Sequence, residues 1–172
     1  MQELLRQLHR DQWKPDYIVG LTRGGLVPAN LISQYLGVRM ETLKVSLRDD
    51  TISPESNLWM PEDAIGYIYE EDRKANGGWQ YLAKYRKNIL IVDDINDSGA
   101  TLNWIKEDWQ SSVRGVHNDD EWENIWNNNV RVAVLYDNEA SSCAVPISYS
   151  AVDINKAEED CWIVFPWEEW WR

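Results

Sequence analysis

Apolar positions follow two rhythms along this chain, and the rhythms alternate. Leu4, Leu5 and Leu8 share one helical face. Asp16 to Leu21 is a short apolar run bounded by Pro15 and the Gly24-Gly25 pair, which predicts a strand. Helical spacing returns from Leu26 to Leu36, at Leu26, Ala29, Leu31, Ile32, Tyr35 and Leu36, with Gly37 as a stop. Met40 to Leu47 predicts a second strand. Arg48 to Lys87 is irregular, carrying Pro54, Pro61 and the turn signal Asn76-Gly77-Gly78, with Tyr67 to Tyr69 as a short strand inside it. Asn88 to Asp94 (NILIVDD) is the clearest strand, since four consecutive apolar residues imply burial on both faces, as in a parallel sheet. A helix is predicted over Thr101 to Trp109, and a short one in the polar stretch Ser111 to Asn129, carrying Trp122, Ile125 and Trp126. Val130 to Tyr136 and Ser148 to Ile154 are further strands. The whole predicts an α/β fold, a mainly parallel central sheet flanked by helices.

Composition narrows the function. The chain has 172 residues, 44% hydrophobic and 27% charged, the balance of an ordinary folded domain. Acidic residues number 29 against 17 basic ones, a net charge of −12, which disfavours non-specific binding to nucleic acid or an anionic membrane. An anionic small substrate stays compatible, because it feels the field of its own cleft. No apolar stretch has the length of a bilayer span or of a secretory h-region. Cys143 and Cys161 have no CxxC spacing, so reduced thiols in a cytoplasmic protein are expected. Eleven tryptophans against one phenylalanine is an unusual bias, with no physical account beyond packing and stacking.

Ligands of parallel sheets bind beyond the carboxyl ends of the strands, near the point where strand order reverses. Two loops stand there. In Asp93-Asp94-Ile95-Asn96-Asp97-Ser98-Gly99-Ala100-Thr101, two adjacent carboxylates end a buried strand, where they repel each other and lose hydration. Vicinal ribose hydroxyls or a hydrated Mg²⁺ would satisfy them. Beyond them Ser98, Gly99 and Thr101 open a helix whose free amides and dipole favour an anion. The plainer reading is a solvated turn with Asp97 as a helix cap. In the first loop, Thr22-Arg23-Gly24-Gly25, the glycines tolerate positive φ and close approach of amides to an anion, and Arg23 adds a fixed cation.

The segment from Val92 to Thr101 resembles, position for position, the phosphoribosyl pyrophosphate (PRPP) signature of the type I phosphoribosyltransferases. Gly20 to Pro28 is similar to that family's pyrophosphate loop. The resemblance implies one phosphoribosyltransferase-like domain over 1–172, with 48–87 as a variable loop region and a hood from about 137 to 172. It implies Mg²⁺-dependent transfer of the 5-phosphoribosyl group from PRPP to a nucleobase. Asp93 and Asp94 would bind the ribose and the Mg²⁺ shell, and Asp97, Ser98, Gly99, Ala100 and Thr101 the 5′-phosphate. Thr22, Arg23, Gly24 and Gly25 would hold pyrophosphate, with a cis peptide expected between Thr22 and Arg23. Asp97 would also take a proton from the base. The family further implies a homodimer or tetramer.

Trp162-Ile163-Val164-Phe165-Pro166-Trp167-Glu168 resembles the hood of bacterial xanthine–guanine enzymes, where the first Trp stacks on a purine and the next residue's main chain faces its edge. Trp167, Trp170 and Trp171 are expected to pack. Between 48 and 87 the candidate cations are Arg48, Arg73, Lys74, Lys84, Arg86 and Lys87, each more simply read as surface charge. One departure stands out. Members acting on 6-oxopurines (hypoxanthine, guanine, xanthine) place a Lys just after the strand matching Val130 to Tyr136, and here that position is Asp137. An ionised Asp accepts and cannot donate. Three readings follow: Asn138 takes the role, the base is not a 6-oxopurine (a non-purine acceptor included), or Asp137 accepts from an exocyclic amine. A regulator that binds PRPP without turnover is the alternative of another class.

Overall fold

The computed structural model describes residues 1–45, 57–68, 81–113, 119–159 and 161–168. Its strands are β1 (Tyr17–Thr22), β2 (Met40–Lys44), β3 (Ile89–Asn96), β4 (Val130–Asn138) and β5 (Tyr149–Ile154). Its helices are α1 (Gln2–Asp11), α2 (Leu26–Leu36), α3 (Trp59–Ile65), α4 (Ala100–Ser112) and α5 (Asp119–Glu123). The strands form one sheet in the order β2-β1-β3-β4-β5, with every neighbouring pair parallel.

Both faces of that sheet are covered. On one, Leu4 and Leu8 of α1 and Ala29 and Ile32 of α2 pack on Ile18, Leu90 and Val92. On the other, Met60 and Ala64 of α3 and Leu102, Ile105 and Trp109 of α4 pack on Val19, Ile91 and Val132. This is why Ile89 to Val92 is an unbroken apolar run: successive side chains point to opposite faces, and all four are fully buried. The bulky indoles of Trp109, Trp122 and Trp126 fill the second face, with Trp109 stacked on Trp126 at 5.7 Å.

The chain runs from β1 outward to β2, then crosses back to β3 on the other side of β1. Strand order therefore reverses between β1 and β3, and the helices that follow these strands depart to opposite faces. A crevice opens there at the carboxyl ends, the usual ligand position in this strand order.

The fold differs from the sequence expectation in several places. Helix α3 lies inside the region read as irregular. Pro61 sits in its first turn, where the missing N–H has no intrahelical partner to lose. Tyr67 makes one antiparallel bridge to Tyr81 and not a strand; Tyr69 lies outside the described residues. Strand β2 ends at Lys44, short of the expected Leu47, and 46–56 lie outside the described residues. Ile125 and Trp126 are buried in the turn after α5, beyond its end. Among the described residues no helix is long and apolar enough to cross a membrane.

Candidate active site

The turn after β1 is the first wall of the crevice. The Thr22–Arg23 peptide is cis. Gly24 and Gly25 follow, and the Leu26 amide bonds back to the Arg23 carbonyl at 3.3 Å. The expectation of positive φ at this glycine pair is not met; Gly25 is right-handed, at φ −69°. Their absent side chains serve close approach. A methyl on Gly24 would stand inside the Asp94 carboxylate, and one on Gly25 would meet the Val92 carbonyl and lie 2.9 Å from Asp93 Cα. The turn is thus seated on the end of β3.

The second wall is the end of β3. Strand pairing to β4 continues through Asn96, two residues past the predicted limit. Asp94 is buried, 9% exposed, and Asp93 is half-buried at the cavity. The Asp94 amide donates to Asp93 Oδ1 at 2.9 Å, and the Ile95 amide to Asp94 Oδ1 at 2.9 Å. Both carboxyls are held above the ordinary carboxylate range. Loss of hydration is the main cause for each; the neighbouring Asp94 charge adds to Asp93, and the Glu168 charge adds to Asp94.

The turn from Asp97 to Thr101 closes the end. Gly99 has φ +84°, a left-handed conformation that disfavours other residues, and a Cβ there would lie 2.5 Å from the Cys143 amide nitrogen. The Ala100 amide meets Ser98 Oγ at 3.3 Å, and α4 starts here with first-turn amides that have no intrahelical acceptor. The crossover from Glu139 to Ser148 lies against this turn: the Ser142 amide donates to the Ser98 carbonyl, and Asn103 bonds both Ser142 and Ala144.

These walls enclose a cavity of about 830 Å³. Thr22, Arg23, Gly24, Asp93, Asp94 and all of Asp97 to Thr101 line it, as do Trp162 and Ile163 from the tail. Trp162 is 74% exposed, so one indole face is open. Phe165 is buried, edge-on to Tyr136 at 5.8 Å and stacked on Trp167 at 5.0 Å, which is the packing expected of Trp167. Trp170 and Trp171 lie outside the described residues.

Two residues at the end of β4 fall elsewhere. Asp137 accepts from Asn96 Nδ2 at 2.7 Å and faces a separate depression of about 290 Å³, lined also by Glu139 and Cys143. Asn138 is buried, and its side chain is spent on main chain: Nδ2 donates to the Asp97 carbonyl at 2.8 Å, and Oδ1 accepts from the Lys156 and Ala140 amides at 3.0 and 3.2 Å. Arg86 pairs with Glu121, and Lys87 with Asp63 at 2.8 Å, away from the cavity. Arg48, Arg73 and Lys74 lie outside the described residues.

Sequence reasoning missed Lys44, Lys156 and Glu168, all of which line the cavity. Lys156 Nζ stands 3.0 Å from Asp97 Oδ1 and 5.9 Å from the Trp162 ring. Its signal was position. All strands being parallel, the residues just past the strand ends arrive at the same rim, and Lys156 lies two residues past β5. Among the described residues no group of three or more His, Cys, Asp and Glu could hold a metal ion.

The phosphoribosyl transferase domain family matches residues 1–171. The chain is 29% identical to xanthine-guanine phosphoribosyltransferase of Cereibacter sphaeroides, over 94% of this chain and 83% of that one. It is 25% identical to hypoxanthine-guanine phosphoribosyltransferase of Saccharomyces cerevisiae, over 91% and 76%. Among solved structures it is similar to purine phosphoribosyltransferase from Pyrococcus horikoshii, with a TM-score of 0.56 at 24% identity, covering 98% and 90%. The turn after β1, the acidic end of β3 and the turn before α4 thus converge in a chain matched almost end to end, which belongs to the type I phosphoribosyltransferase family and is an enzyme of that family.

Proposed function

We propose that this enzyme transfers the 5-phosphoribosyl group of PRPP to a 6-oxopurine (hypoxanthine, guanine or xanthine), with release of pyrophosphate. The observation that carries the reading is convergence: two glycine-containing turns flank one acidic pair in a single cavity at the β1/β3 switch point. The bases named for the relatives support the acceptor class.

Ser98, Gly99, Ala100 and Thr101 at the start of α4 hold the 5′-phosphate with main-chain amides and hydroxyls. That remote binding energy fixes the anomeric carbon for attack. Asp93 and Asp94 hold the ribose hydroxyls. Thr22, Arg23, Gly24 and Gly25 receive the diphosphate and stabilise its charge as it departs. Trp162 stacks on the base and Ile163 faces its edge. The base nitrogen's electron pair forms the new bond to the anomeric carbon. The old C–O bond breaks with its electrons going to pyrophosphate, and Asp97 takes the proton from the base ring.

Mg²⁺ fits the donor set. A lone pair of carboxylates, both short of charge compensation, matches an ion that keeps waters and substrate oxygens as its remaining ligands. Asp93 and Asp94 would hold it, and when bound it supplies charge neutralisation for the diphosphate.

The reading carries a cytoplasmic setting, supported by two free cysteines, and a hood formed by 137–172. It also carries self-association as a dimer or tetramer, supported by the exposed stripe of Val27, Leu31 and Tyr35 on α2. Light scattering tests that point, and a monomeric mass at working concentration removes it.

The deciding experiment is Mg²⁺-dependent pyrophosphate release from PRPP with hypoxanthine, guanine, xanthine, adenine, uracil and orotate in parallel. Release with a 6-oxopurine is expected, reduced about 10²- to 10⁴-fold in Asp97→Ala. Silence across the panel, with PRPP still bound, would replace transfer by a PRPP-binding regulator.

A further inference from the structure

We propose that the depression beside the end of β4 is a second binding site, which takes a small organic ammonium ion and strengthens the neighbouring phosphate turn. The depression measures about 290 Å³, at the small end of ligand cavities. Asn96, Asp137 and Ser141 form its polar side, with Glu139 exposed at the rim. Pro146 and Ile147 supply apolar surface opposite. No Lys or Arg lines it, and among the described residues neither Asp137 nor Glu139 makes an ion pair.

Beneath the two carboxylates lies an unpaired acceptor. Asn96 is 4% exposed, and its Nδ2 donates to Asp137 Oδ1 at 2.7 Å and to Ser141 Oγ at 3.0 Å. Both partners line the depression and not the main cavity, so the amide is turned toward it. An ionised carboxylate only accepts, which fixes Nδ2 on the Asp137 side. Asn96 Oδ1 is then buried with no hydrogen-bond partner, a condition folded proteins rarely leave unmet. An amide oxygen, two carboxylates and a hydroxyl lone pair thus share a space with no basic group. Their complement is a cation rich in donors. A primary ammonium carries three N–H groups, and its carbon skeleton can lie on Pro146 and Ile147. A bare metal ion matches less well, since part of the wall is apolar and among the described residues no three His, Cys, Asp or Glu converge.

The segment that walls this site also supports the turn before α4. The Ser142 amide donates to the Ser98 carbonyl at 3.2 Å, and Gly99 lies against the Cys143 main chain. Asn103 ties α4 to Ser142 and Ala144, and Asn138 Nδ2 grips the Asp97 carbonyl. Asn96 lines both cavities. An ammonium held here adds positive charge behind an anion-binding turn and steadies the segment that backs it. It should therefore bind together with a phosphate, and each ligand should raise the affinity of the other by the same factor. That coupling rests on the phosphoribosyl-transfer reading; the site itself does not.

Titration calorimetry with 1,4-diaminobutane at fixed ionic strength tests the site. One saturable site with a Kd of about 1 mM or tighter is expected. Asp137→Asn should weaken it about 10-fold and Glu139→Gln about 3-fold, with melting temperatures unchanged, because Asn at 137 still accepts from Asn96. The diamine should also slow alkylation by iodoacetamide at Cys143, which lines the depression, and not at Cys161. Absent binding, or binding undiminished in Asp137→Asn, overturns the assignment. So does equal binding of tetramethylammonium, which has no N–H and would show only attraction to an acidic surface. Tighter binding of K⁺ or Ca²⁺ overturns it in favour of a metal site. Saturating diamine should raise ribose 5-phosphate affinity about 5-fold; an unchanged affinity removes the coupling. A protein that binds the diamine but no ribose 5-phosphate defeats the transfer reading and keeps the site.

Discussion

At the amino end of the sheet, Asp11 meets Tyr149 and Arg131; at the carboxyl end, Asp93 and Asp94 meet each other. In the first cluster Tyr149 Oη donates to Asp11 Oδ2 at 2.6 Å, and Arg131 bonds both Asp11 and Tyr149 while lying over the Trp13 ring at 4.7 Å. The Tyr149 hydrogen bond, with Arg131 behind it, holds the Asp11 carboxyl below its ordinary value. Burial and Asp11 in turn push the Tyr149 phenol up to about 12. In the second cluster both carboxyls are pushed the other way. The same residue type thus joins α1 to β4 and β5 at one end of the strands and leaves unbalanced charge at the other. Uncompensated charge in a cavity is binding capacity held for a cationic or donor-rich ligand.

Removing that capacity should have the largest effect. Asp94→Asn is expected to lower pyrophosphate release about 10²- to 10³-fold. It should also raise the stability of the ligand-free protein by about 1 kcal/mol, because a desolvated charge has gone. Steady-state rates and chemical denaturation check the two halves. Lost activity together with lost stability would make Asp94 a structural group and end the contrast.

Gly25→Ala comes next. Its methyl would press on main chain at Leu21, Val92 and Asp93, none of which can turn aside. A loss of about 1–3 kcal/mol is expected, with weaker PRPP binding, since the turn and the acidic pair share one contact surface. Unchanged denaturation and PRPP affinity would show that the two turns are not rigidly joined.

Arg131→Met should cost about 1–2 kcal/mol, kept low because the Asp11 side chain is 44% exposed. Activity should not change. A fall in kcat would couple the two ends of the sheet.

How much of this was readable beforehand depended on how local the signal was. The run from Ile89 to Val92 declared a strand buried on both faces, and Asp93 to Thr101 declared its own loop, because strand end, acid pair and helix start are contiguous in the chain. The strands on either side of β3 were legible for the same reason. The close fit of Gly24 against Asp94 was not, since it joins residues 70 positions apart; the glycines were legible and their seat on the end of β3 was not. Lys156 carries no local motif; only the parallel sheet, which delivers all its strand ends to one rim, brings it to the cavity. Helix α3 was lost to a rule about proline that holds in helix interiors and not in first turns.

The smallest effect tests the contrast most directly, because it turns on sign. A carboxyl whose folded pKa lies below its unfolded value stabilises the fold above about pH 3.9, and that contribution disappears as pH falls through the folded value. Asp11 is of this kind, so between pH 5 and 8 it stays ionised and the Arg131→Met loss should be flat. A carboxyl with a raised folded pKa does the opposite. It adds no penalty while protonated in both states, and it destabilises the fold increasingly as pH rises from the unfolded value through the folded one. Asp94 is of this kind, and Asn cannot ionise. The stability gain of Asp94→Asn should therefore be smallest near pH 4 and grow as pH rises through the folded value. Denaturant titrations of wild type and Asp94→Asn from pH 4 to pH 8, and of Arg131→Met from pH 5 to pH 8, give both slopes. A gain that is flat with pH would mean that Asp94 ionises without penalty and that the two ends of the sheet hold their carboxylates alike.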